Sequence, residues 1–307
     1  MDAVHTPVMC NEIIDYLINE DTEVFLDCTL GEGGHSKEIL TRFSGLRVFG
    51  VDRDPEILKF AENRLSRFAE RFTSINSNFS QTDIIGNKLG ILRPDAILID
   101  LGISVFHYKK SGRGFSFLEN EPLDMRLDNN GFSVIDVVNT YDKNDLADIF
   151  FKFGEERFGN RIADRILDKR KTGRINTTVE LANIVKDAIP AKFHGKIHPA
   201  TKVFQALRIF VNDELEHIEN GLNGLFELLK SGGRMGVISF HSLEDRIVKN
   251  FFNELAKGCI CPKELQRCVC NNQSRIKWIA KMVTAGEEEI RSNPPSRSAK
   301  LRIVEKV

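Results

Sequence analysis

The sequence predicts an α/β protein with a doubly wound, Rossmann-like parallel sheet and a helical insertion between its fourth and fifth strands. Three observations predict it. Apolar runs alternate with amphipathic helical stretches at βαβ spacing through the first hundred residues. A glycine-rich turn, GEGG, closely follows the first run. Strand rhythm then disappears from about Ser104 to Thr201 and returns only at residues 232–240.

Taken in order, VFLDCTL (24–30) reads as a buried strand and HSKEILTRF (35–43) as the helix after the glycine turn. RVFGVDRD (47–54) is the second strand, and residues 55–72 form a helix that Pro55 starts. TSINSNF is a weaker third strand, and DAILIDLG (95–102), set off by Pro94, is a strong fourth. Polar helices such as DKNDLADIFFKFG and NRIADRILDKRK fill the middle of the chain. A long amphipathic stretch from Thr201 to Lys230 leads to the fifth strand, GGRMGVISF, and KWIAKMV and AKLRIVEK are the last two. The domains expected are therefore 1–103 with 206–307 for the sheet and 104–205 for the insertion.

With 307 residues, 41% hydrophobic and 28% charged, the chain is long enough for two globular domains. A net charge of −1 announces no global field for a nucleic acid, so any such contact must be a local patch. No apolar run approaches the roughly 20 residues of a membrane helix, and the acidic first 24 residues do not read as a secretory signal. No membrane partner is expected. Cys10 and Cys28 stand alone while Cys259, Cys261, Cys268 and Cys270 crowd together, which suits a reducing cytoplasm better than a disulfide framework.

The glycine turn has no Lys-Ser/Thr pair after it, so it is not a triphosphate loop, and Gly31, Gly33 and Gly34 do not make a clean dinucleotide fingerprint. Asp52 ends the second strand, where an acid can accept both hydroxyls of a ribose. NAD and S-adenosylmethionine both fit these two signals. Asp27 and Asp100 end the first and fourth strands, so three acids are expected at one carboxyl edge. Like charges repel there, which disfavours a pyrophosphate and favours the cationic S-adenosylmethionine.

The segments HTPVM, DCTLGEGGHS, DRDP, DLGIS, RGFSF, PLDMR, GEERFGNRIA, TKVFQALRIFVNDEL, GGRMGVISFHSLEDRIVK and NPPSRSAKLR occur in this order. Together they closely resemble the bacterial 16S ribosomal RNA cytosine-N4 methyltransferase family over nearly the whole chain. The resemblance implies a class I S-adenosylmethionine-dependent fold with an inserted helical substrate-recognition domain. It implies methylation of the exocyclic N4 of one cytidine in the decoding centre, with 16S rRNA as partner within the small ribosomal subunit. It places cofactor contacts on Gly33, Gly34, His35, Asp52, Phe79 and Asp100, and a further one, usually glutamine, on His107.

Cytosine N4 is a poor nucleophile because its lone pair is delocalised, so an enzyme must orient it and accept its proton. The D/N-P-P-Y/F motif common in amino-methyltransferases is replaced here by DLGIS, which leaves Asp100 as the leading acceptor; NPPS at 293–296 reads as a loop. FHSLEDR, after the fifth strand, lies on the same edge, and His241 or Ser242 is expected to position the base. A helix cap made by Ser242 with Asp245 is the plainer reading of that segment.

Between Arg157 and Arg208 there are 12 Lys/Arg against 4 acids, a local balance of +8 that marks the insertion as an RNA platform. Phe115, Phe117 and Phe193 are its candidate stacking surfaces. Finally, C-x-C, six residues, C-x-C over Cys259, Cys261, Cys268 and Cys270 is a candidate structural zinc site.

Overall fold

The computed structural model describes residues 7–128, 130–261, 269–270 and 272–307. Seven strands form one sheet: β1 (Val24–Asp27), β2 (Arg47–Asp52), β3 (Phe72–Asn76), β4 (Ala96–Asp100), β5 (Arg234–Ser239), β6 (Ile276–Thr284) and β7 (Lys300–Lys306). Their spatial order is β3-β2-β1-β4-β5-β7-β6. β1 to β5 run parallel, and β7 runs antiparallel to both β5 and β6. All four residues of β1 are buried, as a central strand covered on both faces requires. Successive side chains part to opposite faces: Phe25 and Leu98 join one core, Leu26 and Ile97 the other.

The first core is covered by α1 (Cys10–Leu17), α2 (Gly34–Arg42) and α3 (Pro55–Leu65), through Ile13, Leu40 and Leu58. α3 is shorter than the 55–72 helix expected: it stops at Leu65, a 3-10 turn follows, and Phe72 already belongs to β3. Asp54 caps it by accepting the Glu56 N–H at 2.9 Å, with Pro55 in its first turn. α4 (Thr82–Leu89) lies on the other face, with Ile85 and Leu89 in the second core.

The helical unit spans Ile103–Glu214 and contains α5 (Val105–Lys109), α6 (Val134–Thr140), α7 (Lys143–Gly154), α8 (Gly159–Arg170), α9 (Thr178–Ala188) and α10 (Thr201–Val211). It builds its own core from Leu146, Phe150, Ile162, Leu181, Val185 and Leu207. Gly154 is required where α7 meets α10, since a Cβ there would sit 2.6 Å from the Lys202 carbonyl oxygen. The whole of α10 belongs to this unit, because Val203, Phe204, Ala206 and Leu207 fill its core. The chain therefore returns to the sheet unit at Leu215, not at residue 206.

The stretch from Thr201 to Lys230 is two helices. They break at Asp213, which takes a left-handed φ of 49°, next to Asn212. The Asn212 amide donates to the Met125 carbonyl (2.7 Å) and accepts the Leu127 N–H (2.9 Å). α11 (Glu214–Leu228) and α12 (Ser242–Leu255) complete the second core through Leu222, Leu225 and Phe252, and α13 (Glu287–Ser292) precedes β7. NPPS falls in a short 3-10 helix at Pro294–Ser298. Among the described residues no helix is long and apolar enough to cross a membrane.

Candidate cofactor and substrate site

The strand order reverses between β1, which leads to β2 and β3, and β4, which leads to β5. Ligands of open α/β sheets bind at such a switch point, outside the carboxyl ends of the strands. Asp27, Asp52 and Asp100 end β1, β2 and β4 there, yet they do different work.

Asp27 is only 1% exposed. Its carboxylate accepts the Ser36 hydroxyl at 2.7 Å and the Thr29 N–H at 3.3 Å. Burial pushes its pKa up to about 6 against the pull of those two bonds. Asp27 thus holds the glycine turn onto α2 rather than facing the crevice, which corrects the expectation of three ligand-facing acids.

Asp52 accepts the Gly31 N–H at 2.8 Å and the Asp54 N–H at 3.0 Å, one on each oxygen. It fastens the loop to β2, and a carboxylate is the kind of acceptor a ribose hydroxyl requires. Gly33 caps α2 in the left-handed region at φ 74°, where a side chain would also meet Leu65 at 3.1 Å. Gly34 opens that helix, packed against Pro7. Gly50, in mid-strand, makes room for Leu30, whose Cδ1 would lie 2.6 Å from an added Cβ.

Asp100 is the unsatisfied member. Its backbone N–H donates to the Thr29 hydroxyl at 2.7 Å, which pins the end of β4 to the turn after β1. Its Oδ1 is buried with no hydrogen-bond partner among the described residues. Burial, followed by the charges of Asp27 and Glu244, raises its pKa well above the usual carboxylate range. His35 lies beside it, with Nδ1 3.9 Å from Oδ2. His35 Nε2 sits 2.9 Å from the Val8 carbonyl, which can only accept, so Nε2 carries the proton and Nδ1 presents a lone pair. Burial pushes its pKa down to about 4, so the ring is neutral near pH 7. A carboxyl with an unpartnered oxygen beside a bare imidazole nitrogen is a receptor for a cation or an N–H donor.

Phe79 follows β3 and is half-buried against the second core. Gly221 of α11 lets it in, since a Cβ there would lie 2.6 Å from the ring. After β5, His241 is the N-cap of α12. Its Nδ1 accepts the Glu244 N–H (3.4 Å), and Glu244 accepts the N–H groups of Phe240 (2.8 Å) and His241 (3.2 Å). The cap is therefore His241 with Glu244, not Ser242 with Asp245; Ser242 is the first residue of α12. Asp245 instead pairs with Arg302 (2.7 Å) and Lys300 (3.3 Å) of β7, which pull its pKa down against burial.

His107 lies on α5 in the helical unit, buried against Phe106 and Phe115 with ring centroids 5.6 and 5.2 Å away. Phe115 is 5% exposed and so is core, not a stacking surface. Phe117 packs on Phe204 and His198. Phe193 is exposed, with the Arg157 guanidinium 4.3 Å from its ring centroid and the Phe158 ring at 5.2 Å.

Several of the cations in that run are structural. Arg208 holds Glu214 through two 2.8 Å bonds, and Arg170 bonds the Val138 and Tyr141 carbonyls that end α6. Arg157, Arg161, Arg165, Lys186, Lys192 and Lys196 are exposed. Cys259, Cys261 and Cys270 come together, with sulfurs within 4.8 Å of one another; Cys268 lies outside the described residues.

Thr29 and Ser36 carry no motif of their own in the sequence, although each holds a key group in place. The signal was present: the turn is flanked by Thr and Ser, and His241 and Glu244 have capping-box spacing.

A seven-stranded sheet of this order, with its reversed strand between β5 and β6 and an acid-lined switch point, defines a class I methyltransferase. The comparison with known families agrees with that class. The MraW methylase family pattern matches residues 2–307, and the chain belongs to that family. Three similar relatives each bear the name Ribosomal RNA small subunit methyltransferase H. The protein of Treponema denticola is 47% identical over 311 residues, covering 100% of this chain and 98% of its own. That of Carboxydothermus hydrogenoformans is 46% identical, covering 100% and 99%. That of Leptospira interrogans is 49% identical, covering 100% and 90%.

Proposed function

We propose that this chain transfers a methyl group from S-adenosylmethionine to the exocyclic N4 of a cytidine in the decoding centre of 16S rRNA, within the small ribosomal subunit. The family and the names of the relatives support the class of reaction and of substrate. The observation that carries the chemistry is Asp100, a half-buried carboxyl at the switch point whose Oδ1 is buried and left unpartnered among the described residues.

The residues present fit the cofactor. Asp52 offers acceptors for ribose hydroxyls, Gly33 and Gly34 keep the turn bare of side chains, and Phe79 offers an apolar face for adenine. S-adenosylmethionine supplies, when bound, an electrophilic methyl on a sulfonium, whose C–S bond breaks as the N4 lone pair forms the new N–C bond. N4 must then lose a proton. Asp100 is the acceptor we assign. The raised affinity of its carboxyl for a proton suits it to take one, and a cation bound beside it favours the ionised form that can do so. His35, neutral and fixed by Val8, presents Nδ1 toward Asp100 without adding a charge. Glu244 and His241 shape the facing end of α12, so His241 acts as a positioning residue. No step calls for a metal, which leaves the cysteine cluster outside the transfer chemistry.

The test is to incubate the protein with labelled S-adenosylmethionine and small ribosomal subunits lacking the modification, then digest the rRNA to nucleosides. Label in N4-methylcytidine from the decoding-centre fragment is expected. Label in another nucleoside would overturn the assignment.

A further inference from the structure

We propose that Cys259, Cys261 and Cys270 hold a soft divalent cation, a zinc ion, as thiolates. The ion would serve as the staple of the segment between α12 and β6. Four observations carry this.

The first is spacing. The Cys259 and Cys270 sulfurs are 3.7 Å apart, and all three sulfurs lie within 4.8 Å of one another. Tetrahedral Zn–S bonds of ~2.3 Å set an edge of about 3.8 Å between two sulfurs, so this pair already has the separation of ligands sharing one ion. It is far beyond the ~2.05 Å of a disulfide.

The second is the backbone around the sulfurs. The Ile260 N–H donates to the Cys270 sulfur at 3.4 Å, the Asn272 N–H to the same sulfur at 3.5 Å, and the Val269 N–H to the Cys261 sulfur at 3.4 Å. A neutral thiol is a weak acceptor, whereas a thiolate makes charge-assisted bonds. Three amides aimed at two sulfurs are arranged for negative sulfur, and such donors tune and orient metal-bound thiolates.

Third, the neck of the segment is closed: the Asn272 side-chain amide donates to the Lys257 carbonyl at 3.0 Å and the Gly258 carbonyl at 2.7 Å. The two ligand-bearing stretches are thus held together independently of the sulfurs.

Fourth, the described residues of the segment add nothing to the cores. Ile260 is 63% exposed and Val269 72% exposed, and none of the described residues from Lys257 to Arg275 is buried. Described residues that bury so little gain order from another source, and a bound metal supplies it. An all-sulfur set selects zinc over the hard cations calcium and magnesium.

The full chain, purified under reducing conditions without chelator, should carry one zinc ion by elemental analysis. The Cys259→Ser/Cys270→Ser double variant should lose it. Titrating metal-free wild type with Co2+ should give a thiolate-to-cobalt charge-transfer band and the intense visible bands of a tetrahedral site, both erased by added Zn2+. The cobalt spectrum decides the matter even where the double variant fails to fold. Wild type without zinc and with only the weak spectrum of octahedral Co2+ would overturn the proposal, as would a folded double variant that keeps its zinc. A Cys259–Cys270 disulfide under reducing conditions would overturn it too. None of these readouts is of methyl transfer, so the outcome is independent of it.

Discussion

At the scale of single residues, burial and local partners assign different roles to side chains that look alike in the sequence. Asp27 and Asp100 both end central strands and both have raised pKa values, but Asp27 spends its oxygens on Ser36 and Thr29 while Asp100 keeps Oδ1 unpartnered among the described residues. Asp27 has a consequence for stability. Its pKa rises from 3.8 to about 6 on folding, so the native state holds that proton more tightly than the unfolded chain. The contribution is fully present below pH 4 and is lost as pH rises to about 6, amounting to roughly 3 kcal/mol at most. Asp27→Asn cannot ionise and escapes that loss. Melting curves should show the variant gaining on wild type between pH 4 and 6, then a constant difference above. A difference independent of pH would contradict the buried, proton-retaining carboxyl.

At the scale of elements, α12 depends on a reciprocal cap made by His241 and Glu244, the latter 1% exposed. His241→Ala should cost about 1 kcal/mol in urea unfolding, and His241→Asn, whose side chain can also cap, should recover most of it. Full stability in the alanine variant would mean the cap bonds contribute nothing. The identity of this cap was hard to read because Ser242 is the commoner capping residue, while the spacing of His241 and Glu244 emerges only once the helix start is known. The strands were more legible: β1, β2, β4 and β5 are short apolar runs bounded by acids, glycines or proline. α1 and α4 are each only eight residues long, too short to stand out from the flanking loops in the sequence. The break between α10 and α11 was hidden because amphipathic periodicity continues across Asn212 and Asp213, and only the tertiary bonds from Asn212 to Met125 and Leu127 reveal it. In the site, glycines and terminal acids could be read directly. Which acid is satisfied and which is not depends on contacts between distant strands.

At the scale of the whole molecule, a net charge of −1 conceals a cationic run from Arg157 to Arg208 in the helical unit, and its charges divide into two kinds. Arg208, buried and paired with Glu214, is structural, so Arg208→Gln should destabilise the chain by about 3–5 kcal/mol through an uncompensated acid. Arg157, Arg161, Arg165, Lys186, Lys192 and Lys196 are exposed. If each meets one phosphate, log K for RNA against log salt should have a slope near −4, from about 0.7 per contact on a single strand. Arg157→Ala/Lys192→Ala should flatten that slope by about 1.4 without loss of stability, and an unchanged slope would remove these residues from the interface.

The central claim, that Asp100 accepts the proton of the attacking amine, is tested most directly by Asp100→Asn. The substitution keeps the shape of the side chain and removes its basicity. Single-turnover methyl transfer to small subunits would be measured at saturating cofactor, with cofactor affinity determined separately by calorimetry. A transfer rate lower by roughly 10²–10⁴, with the variant still binding S-adenosylmethionine, is the predicted result. Transfer within about threefold of wild type, well short of the effect of a lost general base, would contradict it.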